Sequence, residues 1–537
     1  MNSPVPPATP LARTASGPAP RVVAVLDIGT RAIRLDVAEI TPEGDMRILE
    51  SLQQASSLGK DTFAVGRIDP ESIEECVTIL RGFHHVMREY GIHSPEQIRV
   101  VATSSIREAD NRDAFLDRIY VGTGLRVDVL EEAEVEHLIY LALHDLFERE
   151  PALQKGDVLV AEVGGGTTRL LLVQDGYVTY SGAFRLGALR MRETLEAAET
   201  PPERMRAVLG QHIQRTINQM RESVPARQVP VLIALAGDMD TAMSRLLPGW
   251  GADHTARIPA AAFTLSGAIV ATSPEELMRR HHLPPQEAET VGQSLLTIEL
   301  MAQAFGVADI LVTAQSMRRG LLMKMASLPS ASARFAEQLA HSAITLGRKY
   351  HFDERHAQHV TELSLELFRA LQNEHGMSPH DANLLRTTAL LHDIGAYVSN
   401  ASHHKHSMYL ILNSDIFGLA RSDVLKVALV ARYHRRSPPR TSHPEYAALD
   451  LDTRVAVAKL AAILRVADAL DRSHLQQVRT LTFSRRERQF IITVADVEDL
   501  TLERAALREK TGLFESVYGL QVVLRAAPGL KGSIFDA

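Results

Sequence analysis

The stretch VLVAEVGGGTTRLLLV, residues 158–173, indicates how the first half of the chain folds. Apolar runs at both ends predict two strands, and Gly164 to Gly166 predict the tight turn between them. Glycine lacks a Cβ atom, so this turn can adopt a positive φ or let a ligand approach the backbone closely. Glu162 ends the first strand and Thr167 follows the glycines. Amides, a hydroxyl group and a carboxylate at one turn indicate a phosphate site, although an ordinary glycine hairpin explains the same pattern.

A second copy of this pattern lies near the N-terminus. In VVAVLDIGTRAIRLDVAEI, residues 22–40, a predicted strand ends at Asp27, a turn follows at Gly29 and Thr30, and a second strand begins at Ile33. The two carboxylates are 135 residues apart (162 − 27 = 135). Two such hairpins predict two related halves that face each other and hold a phosphate in the cleft between them.

The composition excludes several classes of protein. A chain of 537 residues predicts several domains, and its single cysteine, Cys76, excludes an intrachain disulfide and predicts a reducing, cytoplasmic compartment. The net charge of −7 argues against nucleic-acid binding. No apolar run approaches the roughly 18 residues that span a membrane. Residues 1–20 are rich in Pro, Ala, Ser and Thr, which predicts a disordered tail and not a signal peptide.

Four motifs occur in the order and spacing of a known family. They are VLDIGTRAIRL at 25–35, VATSSIREADN at 101–111, LEEAEVEHLIY at 130–140 and AEVGGGTTRL at 161–170. The chain therefore resembles the exopolyphosphatase and guanosine pentaphosphate (pppGpp) phosphatase family over roughly residues 21–475. The resemblance implies an α/β actin-like (ribonuclease H-like) core of two lobes. It also implies a homodimer that hydrolyses terminal phosphoanhydride bonds of inorganic polyphosphate or pppGpp with Mg²⁺.

The periodicity and the resemblance together divide the chain. The predicted parts are a disordered tail at 1–20, actin-like lobe I at 21–145, actin-like lobe II at 146–325, an all-α HD-like domain at 330–475, and a small α+β C-terminal domain at 476–537.

The resemblance also assigns residues to the cleft. The residue types and the resemblance together make Gly29, Thr30, Arg31, Arg107, Gly164, Gly165, Gly166 and Thr167 the candidate phosphate-binding residues, and Asp27 and Glu162 the candidate metal ligands there. The spacing alone favours another explanation for Arg107, a helix N-cap followed by a surface arginine. Arg31 and Arg169 replace residues with carboxamide or carboxylate side chains in the family, and Gly237-Asp238 replaces its Gly-Thr. If both arginines point into the cleft, they favour anion binding with slow hydrolysis or none.

The presumed general base of the family is missing. Its usual context is Glu-Glu-Ala-Arg-Leu-Ile at the start of the acidic helix, which is predicted here over residues 131–147. Alignment on Leu138 and Ile139 places Val135 at the base position. Glu134 and Glu136 flank it and are the candidate catalytic residues. Neighbours on a helix point about 100° apart, so either would need a local shift, and both are equally explained as solvated helix residues.

Residues 330–475 show helical periodicity and many histidines. Three of the predicted segments carry candidate metal ligands: His356 on the first, His392 and Asp393 together on the second, and Asp468 on the third. Their order resembles that of the ligands in the HD superfamily of metal-dependent phosphohydrolases. Imidazole nitrogens and carboxylate oxygens suit a divalent transition metal or Mg²⁺. In some relatives these ligands are eroded and the domain mainly adds basic surface.

Three functions follow from these observations. The first is hydrolysis of polyphosphate or pppGpp in the cleft. The second is a catalytically degraded sensor that binds the same ligands without turnover. The third is metal-dependent phosphohydrolysis in the HD-like domain.

Overall fold

The computed structural model describes residues 20–197, 202–224, 229–236, 239–247, 249–251, 254–326, 329–495, 497 and 499–527. The tail predicted at the N-terminus, apart from its last residue, and the Gly237-Asp238 turn lie outside the described residues. Among those that are described, no helix combines the length and the apolar character needed to cross a bilayer.

Lobe I is built on a mixed sheet. Its strands are β1 (Arg21–Ile28), β2 (Ala32–Ile40), β3 (Met46–Ala55), β4 (Ile98–Ala102) and β5 (Val127–Val129). The helices up to residue 154 are α1 (Leu58–Val65), α2 (Pro70–Glu89), α3 (Ser104–Arg107), α4 (Arg112–Thr123), α5 (Glu132–Ala142), α6 (His144–Arg149) and α7 (Pro151–Gln154). The strand order is β3-β2-β1-β4-β5.

Lobe II continues from residue 158. Its strands are β6 (Val158–Val163), β7 (Thr168–Gln174), β8 (Tyr177–Phe184), β9 (Val231–Leu235), β10 (Thr255–Pro259) and β11 (Asp309–Thr313). Its helices are α8 (Ala188–Ala197), α9 (Pro202–Ser223), α10 (Asp240–Leu246), α11 (Ser266–Val270), α12 (Pro274–His281), α13 (Pro285–Ala288), α14 (Val291–Ala304) and α15 (Met317–Ala326). The strand order is β10-β11-β9-β6-β7-β8.

The two sheets share one topology. In lobe I, β1, β2 and β3 form an antiparallel meander, and β4 and β5 extend the sheet in parallel on the other side of β1. In lobe II, β6, β7 and β8 repeat the meander, and β9 and β11 repeat the parallel extension. Strand β10 is an antiparallel addition at the edge. This repetition agrees with the two related halves that the paired hairpins predict.

Successive residues of β1 point to opposite faces of the sheet and enter different cores. Ala24 and Leu26 pack within lobe I. Val23 and Val25 pack in a cluster that also contains Val160 of lobe II. Because one core is shared by both lobes, the ends of β1 and β6 are held at a common cleft.

The rest of the chain is mainly helical. Its elements are α16 (Pro329–Lys349), α17 (Glu354–Ala370), α18 (Gln372–His375), α19 (Pro379–Leu391), α20 (His403–Leu412), α21 (Arg421–Arg432), α22 (Pro444–Ala447), α23 (Leu451–Leu470), β12 (Leu481–Arg486), β13 (Gln489–Val494), α24 (Thr501–Lys510), α25 (Gly512–Tyr518) and β14 (Gln521–Ala526). Phe490 and Phe514 of the C-terminal piece pack into the same cluster as Leu390 and Leu464 of the helical domain. The described part of 476–537 therefore shares its core with that domain.

The helical domain is fixed to both lobes. Gln338 of α16 donates a hydrogen bond to the carbonyl oxygen of Val178 in β8 at 3.0 Å and accepts one from its amide at 2.9 Å. The ring of His137 in α5 lies 4.2 Å from the ring of Phe335 in α16. Helix α5 thus contacts the cleft region on one side and the helical domain on the other.

Candidate functional site

The two glycine turns meet in a single cavity. Its wall includes Asp27, Gly29 and Thr30 from lobe I, and Glu162 and the turn 164–167 from lobe II. About 50 Å³ of the cavity is free for water, which is room for a few waters or one phosphoryl group.

The two turns approach so closely that one glycine is required. A Cβ atom added at Gly165 would lie 2.9 Å from the Cβ atom of Thr30, closer than ordinary packing allows. The two turns can therefore approach this closely only while this position lacks a side chain. The predicted phosphate residues Gly29, Thr30, 164–166 and Thr167 are brought together.

Arg169 lies on the cleft wall and joins two carboxylates. Its Nη1 atom is 2.6 Å from Oε2 of Glu162, and its Nε atom is 2.8 Å from Oε2 of Glu132. Glu162 and Arg169 are opposite each other in the β6–β7 ladder. The Glu162 carboxylate that was predicted to hold a metal therefore contacts a guanidinium group, with 7% of the Arg169 side chain exposed.

Lobe I repeats this arrangement at Asp27. Arg34 is its ladder partner, with 3.8 Å between Nη1 and Oδ2 of Asp27, and Nη1 of Arg318 is 3.5 Å from the same oxygen. In both hairpins the arginine follows the carboxylate by seven residues (34 − 27 and 169 − 162). The sequence analysis missed Arg34. The spacing does identify it, because the numbers of any two residues that face each other across one hairpin add up to the same value.

Two predicted phosphate ligands point elsewhere. Arg31 donates to the hydroxyl oxygen of Thr290, and Arg107 donates to the carbonyl oxygen of Leu130 and to Glu132. Neither is among the described residues that line the cavity. Only Arg169 of the pair Arg31 and Arg169 lines the cleft, so the condition that both enter it is not met.

Val135 lines the cleft, whereas the glutamates beside it do not. Glu134 accepts a hydrogen bond from the amide of Glu131 at 3.0 Å and caps the start of α5. Glu136 is 5% exposed and accepts a hydrogen bond from Ser181 in β8. The local shift that catalysis by either glutamate requires is not present in this structure.

The buried Glu136 makes stability depend on pH. Burial raises the pKa of Glu136 to about 7, and the Ser181 hydrogen bond and Arg169 only partly oppose this shift. Since the unfolded state loses this proton at lower pH, it binds fewer protons than the folded state between about pH 4.5 and 7. Stability should therefore fall as pH rises through that range, by at most about 3 kcal/mol.

We expect Glu136→Gln to remove this fall and to stabilise the protein at pH 8. Urea unfolding at pH 5.5 and pH 8, followed by the fluorescence of Trp250, the single tryptophan, measures the free energy of unfolding at each pH. Glu134→Gln is the matched control on the same helix, because glutamine also serves in a capping box. Equal pH dependence in wild type and Glu136→Gln would contradict the assignment.

A second cluster lies in the helical domain and unites the predicted HD ligands. Donor atoms of His356, His392 and Asp393 lie within 4.8 Å of one another. Nε2 of His356 is 3.8 Å from Oδ1 of Asp468, and Nε2 of His392 is 3.7 Å from Oδ2 of Asp393. The sequence placed these residues on separate segments, and the fold brings all four together.

The outer nitrogens of these histidines are fixed by other groups. Nδ1 of His356 is 2.8 Å from Oδ2 of Asp471, and Nδ1 of His392 is 2.8 Å from the carbonyl oxygen of Ala389. Their Nε2 atoms are buried, have no hydrogen-bond partner and face carboxylates. This arrangement orients a ligating imidazole toward a metal, so the residues fit a divalent cation.

Two further residues of this centre were not predicted. Asp471 lies one helical turn after Asp468, a spacing that the sequence displays. Lys510 of α24 donates to Asp468 and comes from the C-terminal piece, to which the sequence assigned no chemistry. Only the packing of that piece against α23 brings its ammonium group to the centre.

Sequence comparison gives matches over nearly the whole described chain. The model of the Ppx/GppA phosphatase family matches residues 37–328, and that of Ppx/GppA phosphatase, domain III, matches 340–515. A guanosine-5′-triphosphate,3′-diphosphate pyrophosphatase of Pseudoalteromonas atlantica is 21% identical over 447 residues, 83% of this chain and 85% of that protein. Exopolyphosphatase 2 of Mycobacterium tuberculosis is 23% identical over 321 residues, 57% of this chain and 98% of that protein.

Structure comparison supports the fold of the lobes. The crystal structure of an exopolyphosphatase from Cytophaga hutchinsonii matches with a TM-score of 0.50 at 19% identity, over 57% of this chain and 98% of that one. The first family match alone covers more than half of the chain (37–328 is 292 of 537 residues). The chain therefore belongs to the Ppx/GppA phosphatase family.

Proposed function

We propose that this chain is a phosphoanhydride hydrolase whose cleft holds the terminal phosphoryl group of inorganic polyphosphate or of pppGpp. One observation carries the proposal: two acid–glycine–threonine turns, one from each lobe, line the same cavity. The relatives are named for hydrolysis of these two classes of phosphoanhydride, which agrees with the chemistry of the cavity.

Hydrolysis requires that the phosphoryl group be fixed, that its charge be neutralised and that a water be aligned with the leaving oxygen. The turn amides and Thr30 would fix the group. Arg169 and Arg318 lie on the wall and would neutralise charge. Asp27 and Glu162 are the cleft carboxylates that could share Mg²⁺ with the substrate.

Alignment and activation of the water is the weakest step in this cleft. Val135 cannot accept a proton, and the described carboxylates of the wall, Asp27 and Glu162, contact arginines. A general base commonly contributes about 10²–10⁴ in rate. We therefore expect turnover in the cleft to be slow compared with binding.

Release of phosphate from polyphosphate and from pppGpp by the purified full chain, with Mg²⁺ or Mn²⁺, tests the proposal together with ligand binding. We expect Gly165→Ala to weaken polyphosphate binding at least tenfold, because its methyl group would push against Thr30. Gly82→Ala is the matched control, since a Cβ atom at Gly82 in α2 would meet nothing within 4 Å.

A second candidate function rests on the unpartnered Nε2 atoms of His356 and His392. A divalent metal held by His356, His392, Asp393 and Asp468 would supply a Lewis acid for hydrolysis of a phosphoester. In this arrangement Asp471 and the Ala389 carbonyl would orient the imidazoles, and Lys510 would attract the substrate anion.

The two candidates are separated by two variants. Release that is lost in Gly165→Ala and kept in Asp393→Asn supports the cleft, and the reverse result supports the helical domain. Tight polyphosphate binding without release by wild type overturns hydrolysis in the cleft and leaves a binding protein.

A further inference from the structure

A second, larger cavity lies where the helical domain meets the two lobes. About 520 Å³ of it is free for water, against about 50 Å³ in the cleft, and this volume falls within the range of small-molecule sites. Most of its wall comes from α5, α15, α16 and α19, together with the residues around the start of α21. We call it the interdomain cavity.

Much of the wall of the interdomain cavity is apolar. Four of its lining residues are large and apolar: Leu138, Leu141, Leu321 and Phe335. An apolar cavity with a few polar groups is typical of a site for a small organic ligand. Three of the four residues are leucines, which offer no flat face for a ring to stack on, so the wall favours a flexible aliphatic chain.

The charged groups of this wall favour an anion. Oδ2 of Asp423 is 2.9 Å from Nε2 of His380, and Oδ1 is 3.1 Å from Nζ of Lys426. Glu134 caps the start of α5. Lys324 of α15, in contrast, lines the cavity, is exposed and forms no ion pair with a described carboxylate. Because the carboxylates are already engaged, the ammonium group of Lys324 is the charge that a ligand would meet.

His137 adds a buried polar group to the same wall. Only 7% of the residue is exposed, and its Nδ1 atom is buried without a hydrogen-bond partner among the described residues. Burial, together with the positive charge of Lys324, lowers the pKa of His137 to about 3, so the ring is neutral at physiological pH. A buried nitrogen without a partner is unfavourable. A carboxylate in the cavity would accept a hydrogen bond from Nδ1 in the tautomer that protonates this atom.

Two helices separate the interdomain cavity from the cleft. On α5, Val135 lines the cleft, whereas Leu138 lines the interdomain cavity. On α15, Arg318 lines the cleft, whereas Lys324 lines the interdomain cavity. The two helices are in close contact, because a Cβ atom at Gly320 of α15 would overlap the carbonyl oxygen of Leu138. A ligand in the interdomain cavity is thus outside the cleft, yet it would touch the helices that carry Val135 and Arg318.

We propose that the interdomain cavity binds a small organic anion with an aliphatic body, of the chemical class of a medium-chain fatty acid. The carboxylate lies beside Lys324 and His137, and the chain lies among the leucines. This site is separate from the proposed hydrolysis in the cleft and does not depend on it.

Isothermal titration calorimetry of the full-length protein with octanoate tests this proposal. We expect one bound octanoate per chain and an affinity that rises about tenfold for each two methylene groups from hexanoate to decanoate. 1-Octanol has the same chain without the charge, so it should bind at least tenfold more weakly. Equal affinity for octanoate and 1-octanol would overturn the assignment of an anion.

Variants of the wall locate the bound octanoate. Lys324→Met should weaken octanoate binding at least tenfold, because it removes the cation and keeps an apolar stem. Lys155→Met is the matched control, since Lys155 is exposed at the end of α7 and lies outside the wall of the cavity. Asn383→Trp places a large side chain at the wall and should weaken the binding of both octanoate and 1-octanol.

Three other results would overturn the proposal. They are no binding of octanoate by wild type, binding of several molecules per chain, and binding that Lys324→Met and Asn383→Trp both leave unchanged. Loss of octanoate binding in folded Gly165→Ala would place the octanoate in the cleft and would also overturn it. Retained binding in that variant supports a separate site, whether or not the cleft hydrolyses phosphoanhydrides.

Discussion

Arg169→Met is expected to destabilise the protein by about 3–5 kcal/mol, because removal of one partner leaves buried charges without compensation. Arg169 contacts both Glu162 and Glu132, and 7% of its side chain is exposed. Methionine keeps the unbranched apolar stem of the side chain and removes the charged guanidinium group. The two carboxylates would then lie close together without the cation that separates them, and phosphate binding should be lost as well.

Urea unfolding followed by Trp250 fluorescence reports the effect, since Trp250 packs against the core of the lobe that contains Arg169. Arg185→Met is the control, because Arg185 pairs with Glu108 while 74% of its side chain is exposed. Such a surface pair contributes about 0–1 kcal/mol. A loss in Arg169→Met no larger than in this control, with phosphate binding retained, would show that Arg169 does not organise the cleft.

Asp393→Asn is expected to abolish stabilisation by metal. A ligand at 100 to 1,000 times its Kd stabilises the folded state by about 3–4 kcal/mol, which raises the thermal midpoint of a domain of this size by about 10 °C. Asparagine keeps the shape of the side chain but lacks the charge that the neighbouring imidazoles face. Titration of metal-free protein with Mn²⁺ or Zn²⁺ during thermal unfolding measures the shift.

Asp452→Asn is the matched control, since Asp452 is exposed in the first turn of α23. It should keep the full shift. If wild type shows no shift with either metal, or if Asp393→Asn keeps the shift, the centre does not bind metal through Asp393.

Local sequence predicted much of the core. Strand β4 begins and ends where its apolar run does, and α2 begins at Pro70 after Asp69, as its start signal indicates. The helix predicted over 131–147 is instead divided between α5 and α6. Strand β10 has no such local signal, because it lies at a sheet edge beside β11 and its sequence, TARIP, has little apolar character. The metal identity, the homodimer and the compartment stay predictions.

The sequence likewise predicted only part of each candidate site. Two features are visible in the sequence: the glycines of the two turns, and the order of His356, His392, Asp393 and Asp468. The directions of the charged side chains are not visible there. Arg31 and Arg107 have the right chemistry to hold a phosphate. Arg31 instead donates to Thr290, which is distant in sequence, and Arg107 donates to Glu132, which follows strand β5. Neither partner lines the cavity.

The sequence by itself determined the duplicated hairpins, the apolar strands and the residue types of both candidate sites, because these depend on local pattern and composition. Only the tertiary structure decided which groups meet. It turns Val135 into the cleft, sets Arg169 between two carboxylates and brings Lys510 to Asp468. Such contacts join residues from distant segments, and their geometry follows from the packing of whole lobes and domains.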